Sequence, residues 1–221
     1  MPSIPMRKTP SACSTLCPSD HTQGTEYSIR QLRKGLPLAL ILASASPRRR
    51  ELLERAGLSF ACIPARGEEI VQKGTRPEQA ALTLAQQKAL EVAKARPLDT
   101  VIGADTIVVL DGMIMGKPRD EADAVRMLTL LSGREHLVLT GVCVVNKGHA
   151  HSFVQQTKVK FYPLAPAKIR AYVRTGEPMD KAGAYGIQEK GMALVEGIEG
   201  DFFNVMGLPI ARLLRLLEEL E

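Results

Sequence analysis

The chain has 221 residues, of which 45% are hydrophobic and 24% charged, and its net charge is +5 at neutral pH. This length and composition suit one globular α/β domain with an ample apolar core, and they exclude fibrous and largely disordered proteins. No apolar stretch approaches the roughly 20 residues that a membrane-spanning helix needs. An aromatic content of 4% without tryptophan argues against a base-stacking nucleic-acid surface. We therefore expect a soluble protein that binds neither membranes nor nucleic acid.

Residues 1–35 differ from the rest because they are rich in Ser, Thr and Pro and lack helical or strand periodicity before Tyr27. We predict a disordered N-terminal extension, with the ordered domain spanning residues 36–221. The extension is read as nonessential or as the result of a start codon assigned too far upstream, since it has neither a secretory apolar core nor a convincing amphipathic helix. The cysteines form no CxxC pair and are too scattered for a disulfide framework or a zinc site, which favours the cytoplasm.

The first ordered motif is LILASASPRRR at residues 40–50, which follows the start of an apolar strand predicted over 38–42. Ser46 suits an N-cap and Pro47 suits the first helical position, so a helix is predicted from Pro47 to residue 56, with Gly57 ending it. The free N–H groups of that helix start favour an anion, and Arg48 and Arg49 add two guanidinium groups. Because basic residues there oppose the helix dipole, they indicate a polyphosphate ligand rather than a contribution to helix stability. Arg50 is expected to be solvated.

A short strand is predicted over 59–64, then a polar, glycine-bearing loop over 65–75, then a helix over 77–95. Leu82, Ala85, Ala89 and either Val92 or Ala93 are its expected buried stripe. Lys88 lies near the edge of that stripe. In the loop, Glu69 and its neighbour Glu68 are either ordinary surface acids or ligands for an oxygen-preferring divalent cation.

An apolar strand follows over 100–110, and one acid, Asp105, interrupts it. A buried, unpaired carboxylate is costly, so Asp105 should have a metal, a cation or a proton-transfer role; the alternative is an Asp hydrogen-bonded to backbone amides at a strand bend. Gly103 is expected to leave room for a ligand. Thr106 can be a simple β-former, and Lys117 an ordinary loop lysine. Asp111-Gly112 predicts a tight hairpin that returns through residues 113–115.

The remaining elements complete a mixed α/β pattern. We predict helices over 121–131, capped by Asp120, over 166–174, and from Pro209 onward, with strands over 137–145 and 152–162. A further hairpin is expected around Glu199-Gly200. The stretch around Gly183 and Gly186 has little apolar surface, and we expect close backbone approach to a ligand there. Its other notable residues are Asp180, Lys181, Tyr185 and Gln188. The amide of Gln188 can read a base edge because it carries both donors and an acceptor.

Seven sequence blocks resemble the Maf family of nucleoside triphosphate pyrophosphatases, in order and spacing, across nearly all of residues 38–220. They are SASPRRRELL (44–53), LAQQKAL (84–90), GADTIV (103–108), GKPRD (116–120), LSG (131–133), DKAGAYGIQ (180–188) and VMGLPI (205–210). The resemblance implies an inosine-triphosphatase-like α/β fold: a long, twisted mixed β-sheet flanked by helices, with two lobes and an active-site cleft between them.

The resemblance also implies the reaction. Family members cleave a nucleoside triphosphate between its α and β phosphates with a divalent cation, Mg²⁺ or Mn²⁺, in a house-cleaning role that prevents incorporation of modified nucleotides. By motif, the resemblance assigns phosphate binding to five residues, and Asp105 stands at the family's catalytic acid-base position. The five are Ser44, Arg48, Arg49, Lys88 and Lys117. Glu69 falls at a metal-associated position, and Asp105 either holds the ion or takes the proton of water.

Three cleft positions separate the family's subgroups, and here they are Arg48, Thr106 and Gln188. This trio resembles the subgroup that acts on dTTP and UTP, whereas the 7-methyl-GTP subgroup carries tryptophan, glutamine and glutamate. Two alternatives stay open: the same chemistry on 7-methyl-GTP or another nucleotide, and a nucleotide-binding regulator of cell division with little turnover. A nucleoside triphosphate is the expected partner, and a homodimer is a candidate assembly.

Overall fold

The computed structural model describes residues 39–72 and 74–220, and its centre is one mixed β-sheet. The strands are β1 (Leu40–Leu42), β2 (Ala61–Cys62), β3 (Thr100–Leu110), β4 (Met113–Met115), β5 (Glu135–Asn146), β6 (His149–Phe161) and β7 (Val195–Glu199). Their order is β2-β1-β3-β5-β6-β7, with β4 paired to β3. β1 runs parallel to β2 and β3, and the remaining pairs are antiparallel. The predicted extension, residues 1–35, lies outside the described residues.

Helices cover both faces of the sheet. They are α1 (Pro47–Arg55), α2 (Pro77–Ala95), α3 (Glu121–Leu131), α4 (Pro166–Val173), α5 (Phe202–Met206) and α6 (Ile210–Glu219), with 3₁₀ turns at Glu177–Asp180, Ala182–Ala184 and Lys190–Leu194. No helix in the described part of the chain is long and apolar enough to cross a membrane.

The two faces are packed differently, and this difference produces the two predicted lobes. Helix α2 lies along one face of β3, where Ile41, Val101 and Val145 pack against its alanines. On the opposite face, α1 and α6 pack over one end of β3 around Ile102 and Ala104. Helices α3 and α4 pack over its other end, around a separate cluster that includes Val108 and Leu110. The cleft lies between these two groups of helices.

Most predicted elements are present, because their signals are local. Ser46 caps α1 by accepting from the Arg49 N–H at 3.5 Å, and Asp120 caps α3 by accepting from the Asp123 N–H at 2.7 Å. Asp111 and Gly112 both have positive φ, 50° and 78°, as a tight hairpin between β3 and β4 requires. Helix α2 has the predicted bounds.

Two local predictions were wrong. Glu199-Gly200 forms no hairpin: the side chain of Asp201 accepts from the Phe203 N–H at 2.8 Å and begins α5 instead. The buried stripe of α2 contains the predicted Ala85, Ala89 and Val92, but the prediction was wrong at Leu82, which is half-buried while Ala81 and Leu84 are buried. The reason is contact with the sheet, since a Cβ on Gly141 would lie 2.2 Å from the Ala81 carbonyl oxygen.

Candidate active site

The cleft forms at an interruption of the sheet on one edge of β3. β1 pairs with this edge only as far as Ile102, where the Ala43 N–H donates to the Ile102 carbonyl at 2.7 Å. β4 takes up the same edge again at Val108. Between these points, no strand of the described chain covers the edge, while β5 pairs with the other edge throughout. Side chains from both faces of β3 therefore reach one opening.

Asp105 points to the α2 face of this opening, where it forms an ion pair with Lys88. Both side chains are largely buried, with exposed fractions of 14% and 16%. The Lys88 Nζ atom also lies 2.9 Å from Oε1 of Glu69, whose side chain is 55% exposed. The three residues predicted from separate motifs thus form one carboxylate–ammonium–carboxylate cluster.

Gly103 brings this cluster together, although not in the way predicted. A Cβ on Gly103 would lie 2.4 Å from the Ala85 carbonyl oxygen and 2.8 Å from the Ala89 Cβ. The missing side chain therefore admits helix α2, not a ligand, to the strand. Close packing of α2 places Lys88 over the next residue on that face, Asp105.

Arg49 lies on the opposite face and is held by three hydrogen bonds. Its Nε donates to the Gly207 carbonyl at 2.8 Å, its Nη1 to Ser44 Oγ at 3.2 Å and its Nη2 to Thr106 Oγ1 at 3.0 Å. Burial lowers the pKa of the guanidinium, and the negative charge of Asp105 opposes that shift. Because arginine titrates far above neutral pH, Arg49 stays charged in the cleft wall.

Arg48 lies at the rim, where its Nη1 is 3.5 Å from Oδ2 of Asp180. Asp180 also accepts from Lys181 Nζ at 2.7 Å, and Lys181 is itself buried. Sequence reasoning noted these two residues only as neighbours of the glycines. The DKAG block carried the signal, but nothing in the sequence showed that its acid pairs with the arginine run 132 positions away.

Gln188 lines the cleft from the segment after the 3₁₀ turn Ala182–Ala184. The glycines near it pack closely against other parts of the protein. A Cβ on Gly183 would lie 2.9 Å from Cγ2 of Val108, and one on Gly186 would lie 2.7 Å from Cε of Lys181. Gly183 does not line the cleft, so close approach of a ligand was the wrong explanation there, whereas Gly186 does line it and the expectation stays a prediction at that position.

All nine predicted site residues line a single cavity of about 660 Å³. They are Ser44, Arg48, Arg49, Glu69, Lys88, Asp105, Thr106, Lys117 and Gln188. Lys117 is exposed at the rim, and the Thr106 hydroxyl is engaged by Arg49 and by Thr140 Oγ1 at 2.9 Å. The lining of the cavity thus combines cations, carboxylates and the Gln188 amide.

Glu69 and Asp105 are the residues that could hold a divalent cation. Both carboxylates contact the same ammonium nitrogen, so their oxygens converge on one point. Mg²⁺ is commonly bound by one or two carboxylates together with substrate phosphates. In the described ranges there is no group of three or more acidic, His or Cys ligands, so the donor set fits a shared protein–substrate site rather than a closed protein cage.

Comparisons with known proteins identify the family of this chain. The family described as Maf-like protein matches residues 39–220. A dTTP/UTP pyrophosphatase of Koribacter versatilis (strain Ellin345) is 51% identical over 186 residues, which cover 84% of this chain and 96% of that relative. A dTTP/UTP pyrophosphatase of Thermococcus gammatolerans (strain DSM 15229 / JCM 11827 / EJ3) is 52% identical over 179 residues, covering 81% and 95%. Among solved structures, a HAM1 protein from Coxiella burnetii aligns with a TM-score of 0.48 at 17% identity, covering 82% of this chain and 99% of that chain.

Proposed function

This chain belongs to the Maf family, and we propose that it is a nucleoside triphosphate pyrophosphatase that hydrolyses dTTP and UTP. The products are the nucleoside monophosphate and pyrophosphate, and modified pyrimidine triphosphates are further substrates. The observation that carries the proposal is the cleft at the interrupted edge of β3, where buried cations and a carboxylate pair lie on the two faces of one strand. Relatives about half identical over four fifths of the chain carry that substrate name.

Arg49 is the central phosphate ligand in this proposal. A guanidinium has five N–H donors, and the three described bonds to Gly207, Ser44 and Thr106 use three of them. The group is therefore fixed before substrate arrives, and it still has donors for phosphate oxygens. Arg48 and Lys117, at the rim, add charge that neutralises the leaving pyrophosphate.

Asp105 is the proposed acid-base group. Hydrolysis adds the oxygen of water to phosphorus and breaks the bridging P–O bond between the α and β phosphates, and the electron pair of that bond leaves with pyrophosphate. The proton of the water goes to a carboxylate oxygen of Asp105. Lys88 is in contact with the same carboxylate, so it fixes the orientation of Asp105 toward the opening.

We propose that Glu69 and Asp105 hold Mg²⁺ or Mn²⁺ together with the substrate phosphates. When bound, the cation supplies charge stabilisation and positions water. Lys88 contacts both carboxylates and keeps them close together at this point. Glu69 is the more exposed of the two carboxylates and can adjust its position most easily.

Base selection is proposed to lie with Gln188, Arg48 and Thr106. The Gln188 amide can donate to O4 and accept from N3–H of thymine or uracil, whereas a glutamate would favour the donor-rich edge of a methylated guanine. Arg48 lies at the rim beside Asp180. Thr106 lies in the cleft wall and contacts Arg49.

One experiment tests the proposal. Purified full-length protein with Mg²⁺ or Mn²⁺ is assayed for phosphate release from dTTP, UTP, 5-methyl-UTP, CTP and 7-methyl-GTP, with and without inorganic pyrophosphatase. Orthophosphate that is detected only when the pyrophosphatase is added, with dTTP and UTP as the best substrates, supports the proposal. Orthophosphate released directly would contradict the cleavage site, preference for 7-methyl-GTP would change the substrate, and tight binding without turnover would favour a regulator.

We extend the proposal to a cytoplasmic location and to a catalytic domain that begins near residue 36. Both cysteines in the described ranges, Cys62 and Cys143, are free, which agrees with a reducing compartment. Removal of residues 1–35 is expected to leave kcat/KM for dTTP unchanged. Light scattering of the same two proteins reports whether the assembly is the candidate homodimer.

A further inference from the structure

The segment that carries Gln188 is a small closed loop. Gly186 and Gly191 lie so close together that a Cβ on Gly191 would be 2.2 Å from the Gly186 carbonyl oxygen. The same Cβ would be 2.7 Å from the hydroxyl of Tyr172, which lies in α4. We call the contact between residues 186 and 191 the neck of the loop. Gln188 lies between the two sides of this neck, so the geometry of the neck determines where the amide is presented.

The carboxylate of Glu177 closes this neck. Its Oε2 accepts from the Lys190 N–H at 3.0 Å, and its Oε1 accepts from the Gly191 N–H at 3.1 Å. Oε1 also accepts from the Tyr172 hydroxyl at 2.9 Å, and that hydroxyl accepts from the Gly186 N–H at 3.2 Å. One side chain thus binds one side of the neck directly and the other side through Tyr172.

The donors and acceptors match without conflict. A carboxylate only accepts, and each of its three partners donates. Tyr172 donates once and accepts once, and burial raises the pKa of its phenol, so it remains a donor at neutral pH. Glu177 is half-buried, and Lys181 Nζ donates to its backbone carbonyl at 2.6 Å.

The 3₁₀ turn that contains Glu177 also contacts Arg48, another proposed base-selecting residue. Glu177 and Asp180 are the first and last residues of the turn Glu177–Asp180. Asp180 is 3.5 Å from Arg48, while Glu177 holds the loop of Gln188. A single short turn therefore touches the supports of two of the three proposed specificity positions.

We propose that Glu177 is a positioning residue for base recognition: by closing the neck of the 186–191 loop, it fixes the Gln188 amide against the base of the substrate. This role rests on the proposed function. Glu177 does not line the cleft itself, so it acts through Gln188 and not through the phosphates. Its loss should weaken recognition of the base and leave the phosphate chemistry intact.

The sharpest variant is Glu177→Gln, which keeps size and shape. An amide has one donor group and one acceptor oxygen, so a donor must now face the N–H of Lys190 or the pair of donors at Gly191 and Tyr172. We expect KM for dTTP to rise about tenfold, kcat to change less than twofold, and the preference for dTTP over CTP to fall about tenfold. The inhibition constant of inorganic tripolyphosphate, which has no base, should stay unchanged.

A matched control and a double variant isolate the role. Glu189→Gln removes the same charge from the exposed side of the loop and should leave every constant unchanged. In a Gln188→Ala background, Glu177→Gln should have no further effect on the preference for dTTP over CTP, because the two act as one unit. Tyr172→Phe removes the hydrogen bonds of the Tyr172 hydroxyl to Glu177 and Gly186 but leaves those of Glu177 to Lys190 and Gly191, so it should give a smaller rise in KM in the same direction.

The outcomes separate the two proposals. An active wild-type enzyme whose KM and base preference do not change in Glu177→Gln and in Tyr172→Phe overturns the positioning role alone. Equal loss of tripolyphosphate binding and of base preference overturns it too, because that result indicates general damage to the cleft. A wild-type protein that releases no pyrophosphate from any nucleotide overturns the proposed function, and the positioning role with it.

Discussion

The proposed phosphate end and the proposed base end of the cleft are built from different kinds of structure. At the phosphate end, Asp105, Lys88 and Arg49 lie on regular elements, β3, α2 and α1, whose positions are set by buried apolar packing. At the base end, Gln188 lies in a loop between 3₁₀ turns, and the neck of that loop is closed by the carboxylate of Glu177.

This difference indicates how each end should respond to change. A site on packed strands and helices is held by many contacts, so substitutions there remove chemistry without moving the site. A loop held by a few side-chain hydrogen bonds can shift when one of them is lost. We therefore expect losses of kcat from the phosphate end and changes of KM and substrate preference from the base end. The first three of the following measurements test that contrast, and the fourth tests the buried contact between His136 and Tyr185.

The largest effect is expected for Asp105→Asn. An amide cannot accept the proton of water, so kcat for dTTP should fall about 10³-fold or more while the fold is retained. The rate of pyrophosphate release at saturating dTTP measures the loss, and circular dichroism checks the fold. Asp111→Asn, at the exposed turn that follows the same strand, is the control and should keep full activity. Substantial turnover in Asp105→Asn would exclude Asp105 as the acid-base group.

Arg49→Lys should have the next largest effect. A lysine keeps the positive charge but lacks the planar fork, so it cannot bond Gly207, Ser44 and Thr106 and also present donors to phosphate. We expect kcat/KM for dTTP and for CTP to fall about 100-fold alike. Arg50→Lys, on the exposed side of α1, should be silent. A kcat/KM close to that of the wild type for both nucleotides would contradict the assignment of Arg49 to the phosphates.

Gln188→Glu tests the base end directly. A carboxylate cannot donate to O4 of thymine or uracil, so kcat/KM for dTTP should fall about tenfold, with KM carrying most of the change. Activity on 7-methyl-GTP relative to dTTP should rise. Gln79→Glu, exposed on α2, controls for the added charge. An equal loss on every nucleotide would show that Gln188 serves the phosphates instead.

The smallest effect concerns stability and involves the buried contact between His136 and Tyr185. His136 on β5 is 3% exposed, and its Nε2 lies 2.7 Å from the hydroxyl of Tyr185, which lines the cleft. Burial lowers the pKa of His136 from 6.5 to about 4. The unfolded chain therefore binds more protons than the folded one between these values, and stability falls as the pH falls from 6.5 toward 4.

This shift predicts that the free energy of unfolding decreases by about 1 kcal/mol between pH 6 and pH 5. Urea titrations at the two pH values measure the difference. His136→Phe should lower stability at both values but remove this contribution to the pH dependence, whereas exposed His149→Gln should keep it. An unchanged slope in His136→Phe would place the pH dependence elsewhere.

Local signals made much of the fold predictable. Ser46 and Asp120 begin helices by capping, Asp111-Gly112 forms a turn by its backbone preference, and α2 follows its alanine-rich sequence. Signals that depend on a partner failed. Gly103 was expected to admit a ligand but admits α2, and Glu199-Gly200 was expected to turn but leads into α5. The contact that decides the role of Gly103 comes from α2, and the cap that competes with the turn comes from Asp201. Neither belongs to the local motif on which the prediction was based.

By itself, the sequence determined which residue types are available: cations at a helix start, an acid inside an apolar strand, and an amide among glycines. Motif resemblance added their grouping in one cleft, and the structure agrees with it. Only the tertiary structure decided the rest: Asp105 and Thr106 face opposite sides of β3 at an uncovered edge, Arg48 meets Asp180, and Glu177 closes the loop of Gln188. Capping and alternation act over a few residues and are written locally, whereas these contacts join segments far apart in the chain and exist only once the sheet and its helices have packed.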